Sequence, residues 1–281
     1  MAAAGHRGSA GSMPIFYDTH AHLDYPEFTQ DLAAVMKRAA AAGIAKIISI
    51  GTDLESSARA VELSEQFPGV FAAAGWHPCQ ALEAPEDLRP ALRELARHPK
   101  VVAIGETGLD YRHWPSAKPG FSAADDARYK QKQVAVFRQQ MEVAAELGLN
   151  CVIHQREALG EVVLQMQPFL GRVRGVFHCF VNEAAEMRRI VAMGSLVSFT
   201  GIVTFKNAQS VRETVAATSL DQFMLETDCP FLAPMPYRGK RCEPAYVKEI
   251  AALVAQVKGC SLEDLSQNTC TTARRFFPKL G

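Results

Sequence analysis

The stretch Ile15-Phe16-Tyr17-Asp18-Thr19-His20-Ala21-His22 sets out a unit that recurs along the chain: a short apolar run that ends in polar, metal-binding residue types. Seven further runs rich in Val, Ile and Phe follow, at Lys46–Ile50, Val70–Ala74, Val101–Ile104, Cys151–Ile153, Val173–Phe177, Leu196–Phe199 and Phe223–Leu225. Between them lie segments at helical spacing. Val134, Phe137, Met141 and Ala144 fall at steps of three and four, as do Val247, Ile250, Val254 and Val257, and each set makes one apolar stripe. Gly43, Gly148, Gly194 and Gly259 stand where such segments stop, and Ser261 with Asp264 opens a last helix ending near Phe276.

Continuous apolar strands separated by helices imply a parallel sheet covered on both faces. Eight such units predict an α/β fold, a closed (β/α)8 TIM barrel with an extra C-terminal helix. The competing open doubly wound sheet, in its dinucleotide-binding form, would show GxGxxG after the first strand, and none is there. A length of 281 residues suits one barrel domain, read as residues 13–281. The small, polar residues 1–12 read as a leader or tag rather than a secretory signal.

The residues just past each run point to the chemistry. After the first run come His20 and His22; after the third, Gly75-Trp76-His77-Pro78; after the fourth, Gly105-Glu106-Thr107-Gly108-Leu109-Asp110. His154-Gln155-Arg156 succeeds the fifth, His178-Cys179-Phe180 the sixth and Glu226-Thr227-Asp228-Cys229-Pro230 the eighth. Five of the eight histidines thus sit at strand ends, which in a barrel meet on the one face where this fold keeps its chemistry. His20 and His22, two apart on an extended segment, point the same way. With Glu106, His154, His178 and Asp228 they make six ligands, too many for one zinc-type site and suited to two ions ~3.5–4 Å apart with a carboxylate between them. Imidazole and carboxylate suit Zn, Mn or Fe, and the carboxylate share admits Mg.

These motifs, in register from about Met13 to Leu280, resemble those of the TatD family of metal-dependent deoxyribonucleases, amidohydrolase-like barrels. The resemblance implies a TIM barrel with two divalent ions acting on phosphodiesters, DNA as substrate and exonuclease-type activity. Carried over by residue, His20, His22 and Asp228 would hold the first ion, His154 and His178 the second, and Glu106 would bridge. The family often has Ser where Cys229 stands and Asn where Cys242 stands, neither a ligand position.

The expected nucleophile is a hydroxide, because coordination lowers the pKa of bound water to about 7. Asp228 would orient the water and take its proton, and His77 would contact a phosphate or protonate the leaving group. Asp18 and Glu226, each two residues before a ligand, read either as partners that orient it or as buried hydrogen bonds serving the fold. Formal net charge is zero, with 30 basic and 30 acidic residues, so phosphate binding falls to a local patch: Arg156, Arg238, Lys240 and Arg241, with Lys206 a weaker candidate. His113-Trp114, in a Pro- and Gly-bearing loop from Tyr111 to Asp126, could stack on a base. His98 and His6 take no part.

Two other functions compete. A two-metal barrel can hydrolyse aminoacyl esters, amides or lactones; many such barrels bridge their ions with a modified lysine, and here Glu106 ends the fourth strand. A binding barrel with a vestigial site would have lost ligands, and all six are present. Seven cysteines without a CxxC pair predict reduced thiols and a cytoplasmic protein, and no apolar run reaches the ~20 residues of a membrane span.

Overall fold

The computed structural model describes residues 13–117, 119–120 and 122–281, so the expected leader at 1–12 lies outside it. Eight strands follow one another around the sheet in chain order: β1 Phe16–Ala21, β2 Ile44–Ile50, β3 Val70–Ala74, β4 Val101–Asp110, β5 Asn150–Arg156, β6 Gly175–Phe177, β7 Leu196–Phe199 and β8 Phe223–Leu225. Every adjacent pair is parallel. A helix follows each strand: α1 Leu32–Ala41, α2 Leu54–Gln66, α3 Arg89–Ala96, α4 Ala123–Leu147, α5 Leu159–Met166, α6 Ala184–Ala192, α7 Gln209–Ala217 and α8 Val247–Lys258. The additional helix α9, Leu262–Phe276, starts on the Ser261 hydroxyl, which accepts from the Asp264 amide. This is the expected (β/α)8 barrel. None of the described helices is long and apolar enough to cross a membrane.

Residues alternate between two apolar layers. Ile47, Cys151, Ile153, Phe177, Val197, Phe223 and Leu225 pack outward under the helices. Their neighbours Ile48, Val152, Val176, Leu196 and Met224 point inward, where Phe276, Phe277 and Leu280 close the foot of the barrel beneath them. Each fully buried side chain of this kind contributes ~1.5–3 kcal/mol. Continuing the inward parity one step up gives His154 from β5, His178 just past β6, and Glu226 then Asp228 past β8.

Two strands reach the same face by an irregularity. On β4, Ile104 pairs with Cys151 and Thr107 with Ile153, so three steps oppose two. On β1, Asp18 pairs with Ile47 and Ala21 with Ser49, again three against two. An extra residue of this sort re-aims the side chains beside it, and here those are Glu106 and His20. The β4 irregularity lies against Gly75: a Cβ there would come within 2.5 Å of the Gly105 carbonyl carbon.

The circle closes between β8 and β1 through few backbone bonds. The Asp228 amide donates to the His20 carbonyl and the His22 amide to the Cys229 carbonyl, both at 2.8 Å. Below them the Asp18 carboxylate accepts from the Thr227 amide at 2.9 Å and the Thr227 hydroxyl at 2.6 Å.

Candidate metal centre

At the open end of the barrel, Glu106 is buried with its two carboxylate oxygens facing two groups of histidines. Oε1 lies 2.8 Å from His178 Nε2, 2.9 Å from His154 Nδ1 and 3.3 Å from His77 Nε2. Oε2 lies 3.5 Å from His20 Nε2 and 3.8 Å from His22 Nε2. Asp228 Oδ1 completes the second group, at 3.5 Å from His20 and 3.4 Å from His22. The six expected ligands therefore meet in one place, with Glu106 between the halves.

Tautomers sort the histidines. His22 Nδ1 faces the Ile50 carbonyl at 3.3 Å, and a carbonyl only accepts, so that nitrogen carries the proton and the Nε2 lone pair faces inward. His154 Nε2 faces the Asp110 carboxylate at 3.1 Å, which turns the Nδ1 lone pair inward. The far nitrogen of His178, Nδ1, looks toward the Glu226 carboxylate at 3.8 Å. His77 is reversed: its Nδ1 accepts from the Cys79 amide at 3.0 Å, so in the neutral ring the proton sits on Nε2, facing the centre. His77 is thus built as a donor, although it stands in a tight group with Glu106 and His154.

A cation fits this donor set. The Nε2 atoms of His20 and His22 lie 3.3 Å apart, and with His22 holding its proton on the far side, lone pairs and carboxylate oxygens converge with nothing positive between them. Burial opposes ionisation of Glu106, but the charges of His178 and His77 and the hydrogen bonds from His154 and His178 outweigh it and hold its carboxyl well below the ordinary value. Burial likewise disfavours charge on His154, yet its bonds to Asp110 and Glu106 push it up to about 9. His20, buried and stacked on His178 at 4.1 Å, is pushed down to about 4, burial being the larger cause.

Asp18 and Glu226 both lie beneath the ligands. Burial drives Asp18 up to about 8 against its bonds from Thr227, and Glu226 up to about 7 against the charge of His178. Asp18 joins β1 to β8; Glu226 accepts from the Cys179 amide at 2.7 Å and backs His178. Asp228 itself has φ of +59°, a region uncommon for a non-glycine residue, held by its amide bond to His20 and by the Phe231 amide donating to its carbonyl at 3.0 Å.

Strand-end position alone leaves Asp110 out of the site. Its carboxylate bonds His154 and, at 2.9 Å, His113 Nδ1, while the Gln133 side chain clamps its amide and carbonyl. A signal exists in the sequence: Glu106, Gly108 and Asp110 share one face of a continuing strand. The cavity above the centre, about 430 Å³, is lined also by Tyr25, Thr52, Gln80, Arg156 and Phe231.

Of the basic candidates, only Arg156 lines that cavity. Arg238 lies over the Phe205 ring at 4.1 Å, and Lys240 and Lys206 are exposed elsewhere. Arg241 pairs with Asp31 at 2.7 Å. Trp114 stacks on Tyr111 at 5.4 Å, outside the cavity wall. The loop between β4 and α4 is shorter than expected, because α4 begins at Ala123. His98 pairs with Glu65, and His6 lies outside the described residues.

Comparison with known proteins places the chain in a family. The profile of the family described as TatD related DNase matches residues 17–278. An uncharacterized metal-dependent hydrolase of Bacillus subtilis, YabD, is 40% identical over 264 residues, covering 94% of this chain and 99% of that protein. A protein of Erwinia amylovora named 3'-5' ssDNA/RNA exonuclease TatD is 34% identical, over 93% of this chain and 99% of its own length. The crystal structure of the Escherichia coli TatD homolog YjjV superposes with a TM-score of 0.84 at 27% identity, over 94% of this chain and 98% of that one. A barrel with histidines and carboxylates at its open end, matched over nearly its whole length by a metal-dependent hydrolase, belongs to that class of enzyme. The chain belongs to the TatD family of such enzymes.

Proposed function

We propose that this enzyme hydrolyses phosphodiester bonds at the ends of DNA strands, and that His20, His22, Asp228, His154, His178 and Glu106 would hold two divalent ions there. The observation that carries the reading is the division of Glu106, one oxygen toward each histidine group. The relatives named as ssDNA/RNA exonucleases support the substrate class. Mg, Mn and Zn each suit the donor set, and seven free thiols fit a cytoplasmic setting.

Bound divalent ions would supply charge for the phosphoryl oxygens and a water acidic enough to react at neutral pH. The chain's own residues do the rest. Hydrolysis joins the oxygen of water to phosphorus and breaks one phosphorus–oxygen ester bond. Asp228 takes the proton of the water. Burial opposes its ionisation, but the hydrogen bond from His22 and the neighbouring imidazoles keep its carboxyl below the ordinary value, so it is ionised at neutral pH. The proton returns through solvent to the leaving oxygen. His77, whose protonation burial disfavours, presents Nε2–H as a hydrogen-bond donor to a phosphoryl oxygen. Arg156, exposed on the cavity wall, meets a second phosphate.

The test compares wild type with Glu106→Ala and Asp228→Ala on end-labelled single- and double-stranded DNA and RNA, each with Mg, Mn or Zn. Labels at both ends read the polarity, and an aminoacyl ester, an amide and a lactone run in parallel. The expected outcome is cleavage from an end, lost in both variants with folding retained. Undiminished cleavage in both would overturn the site, and turnover of only the carbon esters or amides would overturn the substrate.

A further inference from the structure

Phe231 is 47% exposed, and among the described residues no other large exposed apolar side chain lines the cavity above the metal centre. It follows Asp228 by three residues, and the bond from its amide to the Asp228 carbonyl fixes that turn. Its ring stands edge-on to Tyr25, with centroids 5.8 Å apart and planes at 83°. Tyr25 in turn lies against His22 at 4.8 Å and 30°. An aromatic wall therefore runs from a candidate ligand outward to solvent and ends in a ring that the fold leaves uncovered.

Folding gains little from an apolar ring half in water, whereas a nucleobase offers a flat face to stack on it. Stacking on aromatic side chains is how proteins grip single strands whatever the sequence, since every base has a π-face. The cavity falls within the ~300–1,000 Å³ typical of small-ligand sites, and Arg156 contributes positive charge elsewhere on its wall. A phosphodiester seated at Glu106 would have its flanking sugar and base within this wall. We propose that Phe231, backed by Tyr25, is the stacking platform for the base of the terminal nucleotide, so that the enzyme selects ends whose bases are unpaired. The proposal rests on the nuclease reading above and adds to it the residue that recognises the end.

The experiment uses single-stranded oligonucleotides with ordinary ends, or with a tetrahydrofuran abasic residue at the 3′ or the 5′ terminus, cleaved by wild type, Phe231→Ala and Phe231→Trp. Phe231→Ala is expected to lower kcat/KM on the ordinary end by roughly 5- to 100-fold, mainly through KM. Wild type is expected to lose a similar factor on the abasic end, the two losses should not multiply, and Phe231→Trp should restore the rate. Because the ring is half exposed, the variant is expected to keep its fold, checked by circular dichroism. An unimpaired Phe231→Ala, or losses that multiply, overturns the platform while the nuclease reading stands. A wild type that cleaves none of the oligonucleotides but hydrolyses bis(4-nitrophenyl) phosphate overturns both.

Discussion

The two ends of the barrel are made by the same strands and do opposite work. At the foot, Val152, Val176 and Met224 meet Phe276, Phe277 and Leu280 in an apolar plug. One inward step higher, β5, β6 and β8 lead to His154, His178 and Glu226. The plug is held by burial, which stabilises the folded state without specifying any reaction. The upper layer gathers carboxylates and imidazoles whose proton affinities are displaced by one another and by burial. The difference teaches that stability and chemistry are separated here by one repeat of the pleat, about two residues along a strand.

Breaking each end separately tests that separation. The largest effect on rate belongs to Glu106→Ala, with a fall in kcat/KM of about 10³-fold or more and an unchanged circular dichroism spectrum. At the other end, Phe277→Ala should destabilise by ~3–5 kcal/mol in urea unfolding while leaving kcat per folded molecule as it was. A fall in kcat per folded molecule in Phe277→Ala would show that the two layers are coupled.

Asp110→Asn sharpens the comparison from within the site. Removing the charge that orients His154 should cost about 10- to 100-fold in metal affinity, read by titration with Mn or Zn. A variant that binds metal as wild type does would reduce Asp110 to a structural bond.

The smallest effect lies on the outer surface. The hydrogen bond from Arg241 holds Asp31 down to about 2, against an ordinary 3.8. A carboxyl depressed in the folded state stabilises above its unfolded pKa and loses that contribution as the pH falls toward 2. Arg241→Ala should therefore lower the urea midpoint slightly at pH 7, and the gap from wild type should close between about pH 4 and pH 2. A gap independent of pH would mean that Arg241 acts through its packing on Phe28 instead.

The barrel and its ligand layer could be read from the chain alone, because both follow from one period. Apolar runs of strand length mark the staves, and the polar residues that end them must share a face. What escaped the reading depended on contacts that no period encodes. Arg241 and Asp31 are 210 residues apart, so the diversion of that arginine from the cavity was invisible. The donor role of His77 rests on the amide of Cys79 meeting one ring nitrogen rather than the other. The inward turn of Glu106 comes from an extra residue in β4 that apolar spacing does not reveal. Phe231 looks like any core phenylalanine until the structure leaves it in the open.

The seam between β8 and β1 has a consequence for how the activity arises. Two ligands of one candidate ion come from residues 20 and 22 and the third from residue 228, joined through the Asp18 clasp on Thr227. Until β8 meets β1, only two of those three groups stand together and Asp18 lacks its partner Thr227. If an ion is held there as proposed, its site is completed only when the ring of strands closes.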